Sequence, residues 1–371
     1  MSLVQRTLAA LAALVAGLVL VVPFGATEGG TLPITEFPLV AGFALLAVLS
    51  LVRFRWALRI EADLILAALG AAGLLATLPT LEQAGPGFWL TLVASWLFAW
   101  VFAERLAGAI TRKGISSRVG VLIPIVFGIT ILVAWEAVTR GGQVPKVLLP
   151  SPSGIFSSFI ENIPKLIADF QQTFLKSVLI GYALGCGFGF IVAVAIDRSP
   201  FLKRGLLPLG NFVSALPLIG IAPIMVMWFG FDWPSKAAVV VIMTFFPMLV
   251  NTVAGLNVAG RMERDLMQTY AAGYWPSLIK LRLPAAAPFI FNALKINSTL
   301  ALIGAIVAEF FGTPIVGMGF RISSEIGKLN VEMVWAEIAV AALAGSAFYW
   351  VVAIVERAVT FWHPSVRGGR A

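Results

Sequence analysis

The stretch DLMQTYAAGYWPSLIKLRLP, Asp265 to Pro284, lies between two long apolar segments and is far more polar than either. Arg261, Glu263, Arg264 and Asp265 charge its front, and Lys280 and Arg282 its back. Met267, Tyr270, Ala271, Tyr274 and Leu278 recur at helical spacing and make one apolar stripe. Gly273 is a good helix stop, and Pro276 a good first helical residue. Trp275 precedes that proline and is biased away from helix. The pattern predicts two short helices joined by a bend, lying at a membrane surface with an apolar face to offer.

The composition around that stretch agrees. Of 371 residues, 60% are hydrophobic and 12% charged, where a soluble domain is about a quarter charged. Mean hydropathy is +0.96. This is an all-α, polytopic membrane protein. The net charge of +8 is spread through loops between apolar runs, not gathered in a patch, so nucleic acid is not an expected partner. The single cysteine, Cys186, lies in an apolar run as a small packing residue. With one histidine, His363, the chain has neither a disulfide framework nor a Cys/His metal cluster, and no cofactor is expected. Gly327-Lys328 lacks the glycine loop of a nucleotide-binding motif, so any ATPase must be another chain.

Crossing a bilayer takes about 20 apolar residues. Ten runs are candidate spans. Four come early: Thr7–Ala26, Phe37–Leu51, Leu64–Leu78 and Phe88–Phe102. Six follow: Val119–Ala137, Phe174–Ile196, Leu206–Phe229, Ala237–Leu256, Ala286–Phe311 and Val334–Val355. With the Asp265–Pro284 loop inside, most of the 26 lysines and arginines fall inside as well. The outer set is Arg140, Lys146, Lys165, Lys176, Lys236, Arg321 and Lys328, while Lys295 falls within a span. Both ends are therefore expected in the cytoplasm, with the chain a multi-pass protein of the cell inner membrane. Thr7–Ala26 reads as a retained span, because Gly25-Ala26-Thr27 is a poor signal-peptide cleavage site.

The polar, positive segment Glu104–Arg118 separates residues 1–110, whose four spans carry no motif, from residues 115–365. In the outer segment Arg140–Thr173, Ser153 is placed to cap a helix carrying Ile155, Phe156, Phe159 and Ile160. Pro164 opens a second short helix with Ile167 and Phe170, and both read as interfacial helices.

The Asp265–Pro284 stretch resembles the EAA loop of ABC importer permeases, whose pattern is E-A-A, three residues, G, nine residues, I-x-L-P. Leu281-Arg282-Leu283-Pro284 falls on the last four positions, Asp265-Leu266-Met267 on E-A-A, and Ala271 on the glycine. The first half thus departs from the pattern, and Gly273 is expected to supply the bend two residues later. In that family the loop is the coupling helix seated in a cleft of the ATPase. The resemblance implies coupling roles for Asp265, Ala271, Ala272, Gly273, Tyr274 and Trp275.

Other segments fit the nitrate/sulfonate/taurine branch of type I importers. VLLPSPS (Val147–Ser153) resembles its LPSP segment, ALPLIGIAPIMVMWFGF its paired prolines followed by W-F-G, and VAEFFG its VAE-x-x-G. Within the branch, FFGTPIVGMGFRISSEIGKLN and TFWHPSVRG look most like permeases for thiamine-precursor pyrimidines or riboflavin. Sulfonate, taurine or nitrate is the alternative cargo. The resemblance covers about residues 120–365. It implies a six-helix permease core behind a four-helix N-terminal extension. It also implies a homodimer in membrane lipid, ATP-binding cassette subunits and an extracytoplasmic solute-binding protein, with no catalytic residue in this chain.

Several residues have two readings from sequence. Gly181, Gly185 and Gly189 are four apart and make a close-packing face, either at a dimer contact or within one subunit. Asn211 and Ser214, with Pro217 and Pro223, sit in a proline-broken span that either lines the substrate pathway or is simply kinked. Asn292, Lys295 and Thr299 share one helix face. Lys295 either meets substrate or snorkels to the inner surface or packs between subunits. Glu309 has a structural role or a substrate contact, and Glu136 is placed to face an outer vestibule. A secondary transporter would want paired intramembrane acids, and only Lys295 and Glu309, with Glu337 near a span end, stand out.

Overall fold

The computed structural model describes residues 3–27, 30–52, 60–113, 117–206, 217–312 and 315–362. The chain divides into two compact units, Met1–Ser157 and Ser158–Ala371. Among the described helices, seven are long and apolar enough to cross a membrane, and three more are apolar but shorter. They overlap the runs read from sequence, of which Leu206–Phe229 lies in part outside the described residues.

In the first unit, α1 (Leu3–Leu18), α2 (Pro38–Val52), α3 (Ile60–Thr77), α4 (Pro86–Lys113) and α5 (Leu122–Gly141) follow in order. α4 packs on α1 and α3, and α5 packs on α3 and α4. The alanines that make these segments look featureless allow close approach. Ala12, Ala13, Ala16, Ala47, Ala67 and Ala94 surround Phe43 and Phe98 in one core. Asp63 and Arg105 form a buried ion pair between α3 and α4. The first span is shorter than expected. Its helix stops at Leu18, and Gly25–Thr27 is a strand (β1) pairing antiparallel with β2 (Gly30–Leu32) and β3 (Gln83–Ala84). Pro23 lacks the N–H that would continue the helix.

α6 (Pro152–Glu161) corrects one detail. With Pro152 as first residue, the cap is Ser151, whose Oγ accepts from the N–H of Gly154 at 3.2 Å. Ser153 instead donates from Oγ to Glu136 Oε1 at 2.6 Å and from its N–H to Oε2 at 2.9 Å. Glu136 is therefore buried against the start of α6.

The second unit continues with α7 (Ile163–Phe170), a π-helical segment (Gln171–Val178) and α8 (Leu179–Arg198). After these come α9 (Leu218–Phe229), α10 (Trp233–Leu256), α11 (Arg261–Thr269) and α12 (Tyr274–Ser277). A second π-helical segment (Leu278–Arg282) leads to α13 (Leu283–Glu309), α14 (Met318–Gly327) and α15 (Val331–Val359). α10 is the centre of this unit, packed extensively on α8 and α13. Its approach to α8 needs the glycines. A Cβ at Gly185 would lie 2.0 Å from Thr244 Oγ1, one at Gly181 2.6 Å from Val240 Cβ, and one at Gly189 2.6 Å from the Phe245 carbonyl oxygen. The small-residue face therefore packs within the chain, the second of its two readings. Asn297 of α13 joins the same contact, donating to the Thr244 carbonyl at 2.7 Å.

Candidate functional site

The loop at 261–284 is built as a projecting tip on a clamped base. α11 buries none of its residues. Met262, Leu266 and Tyr270, spaced by one helical turn, are 83%, 56% and 78% exposed. The helix ends where the N–H of Ala271 bonds the Gln268 carbonyl at 2.8 Å and that of Ala272 bonds the Met267 carbonyl at 2.9 Å. This pattern requires a left-handed residue, and Ala271 takes it at φ 52°. So the residue that falls on the family glycine makes the bend. Gly273 does not: its backbone is extended, and it precedes α12 as N-cap. Trp275 is helical despite the following proline, since the first turn of a helix does not use the N–H that Pro276 lacks. The predicted stripe splits in two. Leu278 is buried with Leu256 and Ala286, Tyr274 is half-buried, and Tyr270 faces outward.

The base holds the tip through charge. Asp197, in the last turn of α8, accepts from Arg282 Nη1 at 2.7 Å, from Arg282 Nη2 at 2.5 Å, and from the Tyr274 hydroxyl at 3.0 Å. The Leu256 carbonyl, left over at the end of α10, accepts from Arg282 Nε at 3.1 Å and Arg264 Nη2 at 3.2 Å. The Arg198 guanidinium lies 5.5 Å from the Tyr274 ring centre and 5.9 Å from that of Trp275, in cation–π contact. Sequence reading passed over Asp197 and Arg198. The available signal was an acid–base pair closing an apolar span.

Of the pathway candidates, Asn211 and Ser214 lie outside the described residues. The helix after them begins only beyond Pro217, whose backbone is extended, and contains Pro223. Asn292 and Thr299 are exposed on α13. Lys295, on the same face, pairs with Glu356 of α15 at 2.7 Å.

Glu309 is buried and committed to the backbone. It accepts from Thr173 Oγ1 at 2.7 Å and from the Gly319 N–H at 2.7 Å. Asp169 takes the Gly317 N–H at 2.6 Å and Arg321 Nε at 2.7 Å, while Thr173 Oγ1 accepts from the Met318 N–H at 2.8 Å. Side chains of α7, the first π-helical segment and α13 thus satisfy the free N–H groups that start α14. Gly317 is required there: its φ is 141°, and a Cβ would sit 2.8 Å from the Glu309 carboxyl carbon. Glu337 is fully buried beside Asp169, where a protonated Glu337 carboxyl can donate to the Asp169 carboxylate. Asp169 was missed because the pattern Ile167/Phe170 placed its helix at an interface.

Beside this junction, a cleft of about 620 Å³ is lined by Gln171, Gln172, Lys176, Phe231 and Asp232 among others. The Trp233 N–H, at 2.7 Å, holds the Asp232 carboxyl below the usual range, and the Gln172 amide at 2.8 Å adds to this against slight burial. Burial pushes the Glu325 carboxyl up, but bonds from Lys328 and Asn330 outweigh it and leave the group below its ordinary value.

Residues 185–361 match the family of binding-protein-dependent transport system inner membrane components. Over 241 residues the chain is 31% identical to the formylaminopyrimidine transport permease protein ThiX of Halalkalibacterium halodurans, covering 65% of this chain and 96% of that protein. The chain belongs to this family of ABC transporter permeases. The permease is also 27% identical over 268 residues to the putative aliphatic sulfonates transport permease protein SsuC of Bacillus subtilis, covering 72% of this chain and 95% of that one. It is 27% identical over 236 residues to the riboflavin transport system permease protein RibX of Chloroflexus aurantiacus, covering 63% and 88%. The permease is thus a multi-pass inner-membrane subunit of an ATP-driven importer. Its relatives are transport components that work with ATP-binding subunits and a solute-binding protein, and the partner subunits hydrolyse the ATP. The family match includes the clamp, the projecting loop, Glu309 and Glu337, and starts after Asp169 and Thr173.

Proposed function

We propose that the permease imports a planar, largely neutral heterocycle of the class of a thiamine-precursor pyrimidine or a flavin. It works as a homodimer in the lipid bilayer, with ATP-binding cassette subunits seated against Asp265 and Ala271–Trp275. Solute passes Asn211, Ser214, Asn292, Lys295 and Thr299, with Glu309 buried behind the pathway and holding the start of α14. Residues 115–365 are the transporting part and residues 1–110 an added module. One observation carries the choice of solute: the lysines of the pathway helices are already engaged. Lys295 is paired with Glu356, and Lys236 donates to the Phe231 carbonyl at 2.6 Å and to Ser235 Oγ at 3.2 Å. A small hydrated anion would need free positive groups or helix N-termini to offset its lost hydration. A flat neutral ring needs amides, hydroxyls and aromatic faces. Asn292, Thr299 and the exposed Trp228, Phe229 and Phe231 supply them. The identity to a formylaminopyrimidine permease supports the same choice.

The test is uptake of labelled pyrimidine, riboflavin, taurine and nitrate by the reconstituted importer. Transport of taurine or nitrate with neither heterocycle would overturn the solute. Replacing Ala272 or Gly273 by glutamate should abolish transport while insertion survives. Unchanged transport with unchanged ATPase co-purification would remove the loop from the proposal. A chain starting at Ser116 should still insert with the core topology, though α5 loses its packing on α3 and α4. Failure of that chain to bind the ATPase would make the early helices part of the transporting unit.

A further inference from the structure

We propose that Asp197 is the positioning residue through which movement of the 261–284 loop reaches α8 together with α10, resting on the reading that the ATPase docks on this loop. α11 buries nothing and the backbone reverses at Ala271, so the tip meets the transmembrane helices only at its base, where Arg264 bonds the Leu256 carbonyl of α10. Two routes lead inward from the tip. One is the continuous backbone, through residues 257–260 to α10 and through Leu278–Arg282 into α13. The other is made of side chains and converges on one carboxylate. Asp197 receives both ends of the Arg282 fork and the Tyr274 hydroxyl. The same arginine holds the end of α10 by the Leu256 carbonyl.

Arg282 therefore stands between the last turns of two helices. A bidentate arginine–carboxylate pair fixes orientation as well as distance. Asp197 and Arg282 side chains are only 7% and 12% exposed, so water competes poorly for either. Arg198, the next residue of α8, lies against the Tyr274 and Trp275 rings, so α8 contacts the loop on two sides. The α8–α10 seam at Gly181, Gly185 and Gly189 leaves no room for slip. A displacement passed to Asp197 must then move α8 and α10 together. Without this contact the loop still moves α10 and α13 but no longer holds α8 by charge, and ATP hydrolysis proceeds without the joint motion that carries solute.

The experiment uses the whole importer in proteoliposomes, reading solute uptake per ATP hydrolysed and the ATPase retained on purification. Asp197→Asn keeps the side-chain shape and an acceptor for Tyr274 but removes the charge. The ATPase should still co-purify and hydrolyse ATP, while uptake per ATP falls by about tenfold, inside the range of coupling between sites. Asp197→Arg and Arg282→Asp should each be uncoupled, and the two together should recover part of the ratio. An unchanged ratio in Asp197→Asn, or an exchange that recovers nothing, overturns the proposal. Should Asp197→Asn fail to assemble, Arg282→Lys decides, because it keeps the charge and loses the fork: a lowered ratio supports the role and an unchanged one refutes it. Absence of ATPase from the wild-type complex would instead refute the docking reading.

Discussion

Both ends of the Ser158–Ala371 unit bury carboxylates at helix ends, with opposite consequences. At the inner end, Asp197 bonds only side chains, those of Arg282 and Tyr274. At the outer end, Asp169 and Glu309 bond the backbone N–H groups of Gly317 and Gly319. A side-chain joint can re-form in another geometry by rotamer change. A backbone joint cannot open without stripping the start of a helix. If the ATPase docks as proposed, the Asp197 end transmits a change of position and the Asp169–Glu309 end holds one.

The largest effect should come from breaking the outer joint. Asp169→Ala strands Arg321 and the Gly317 N–H and should cost about 3–5 kcal/mol, the usual penalty for removing one partner of a buried pair. Thermal unfolding in detergent measures it, and a cost well under that range would mean the outer end is no stiffer than the inner.

Glu337 sharpens the contrast. It is a fully buried acid beside Asp169. Glu337→Gln should leave the melting temperature unchanged or raise it slightly, because the amide keeps a donor for Asp169 and carries no charge to desolvate. A large loss would reveal a partner and a coupled role.

At the inner end, Ala271→Gly should stabilise the loop by up to about 1 kcal/mol by removing left-handed strain. Hydrogen exchange of residues 261–273 reports it, and slower exchange is the expected sign.

A small effect concerns Asp232, whose carboxylate caps α10. Its folded-state value lies below the ordinary one, so its stabilisation is present above the ordinary carboxylate range and lost as pH falls through the folded value. Asp232→Asn should remove that acid dependence, with only on the order of a few tenths of a kcal/mol at stake, because the carboxylate is exposed and asparagine caps as well as aspartate. Parallel melting curves of both proteins from neutral to acid pH make the comparison.

Sequence alone determined the apolar segments and the projecting loop. These rest on hydropathy, charge placement and local spacing, which act within a few turns of chain. Pro217, Pro223 and the I-x-L-P positions were legible for the same reason. Tertiary structure decided the pairings. Asp197 meets Arg282 across 85 positions, Thr173 meets Glu309 across 136, and Gly317 meets Asp169 across 148. It also turned Lys295 toward Glu356 and the glycine face toward α10. A charged residue in a span announces only that it needs a partner. Which residue answers is set by how α8, α10 and α13 pack, and glycine spacing permits that packing without naming its other side.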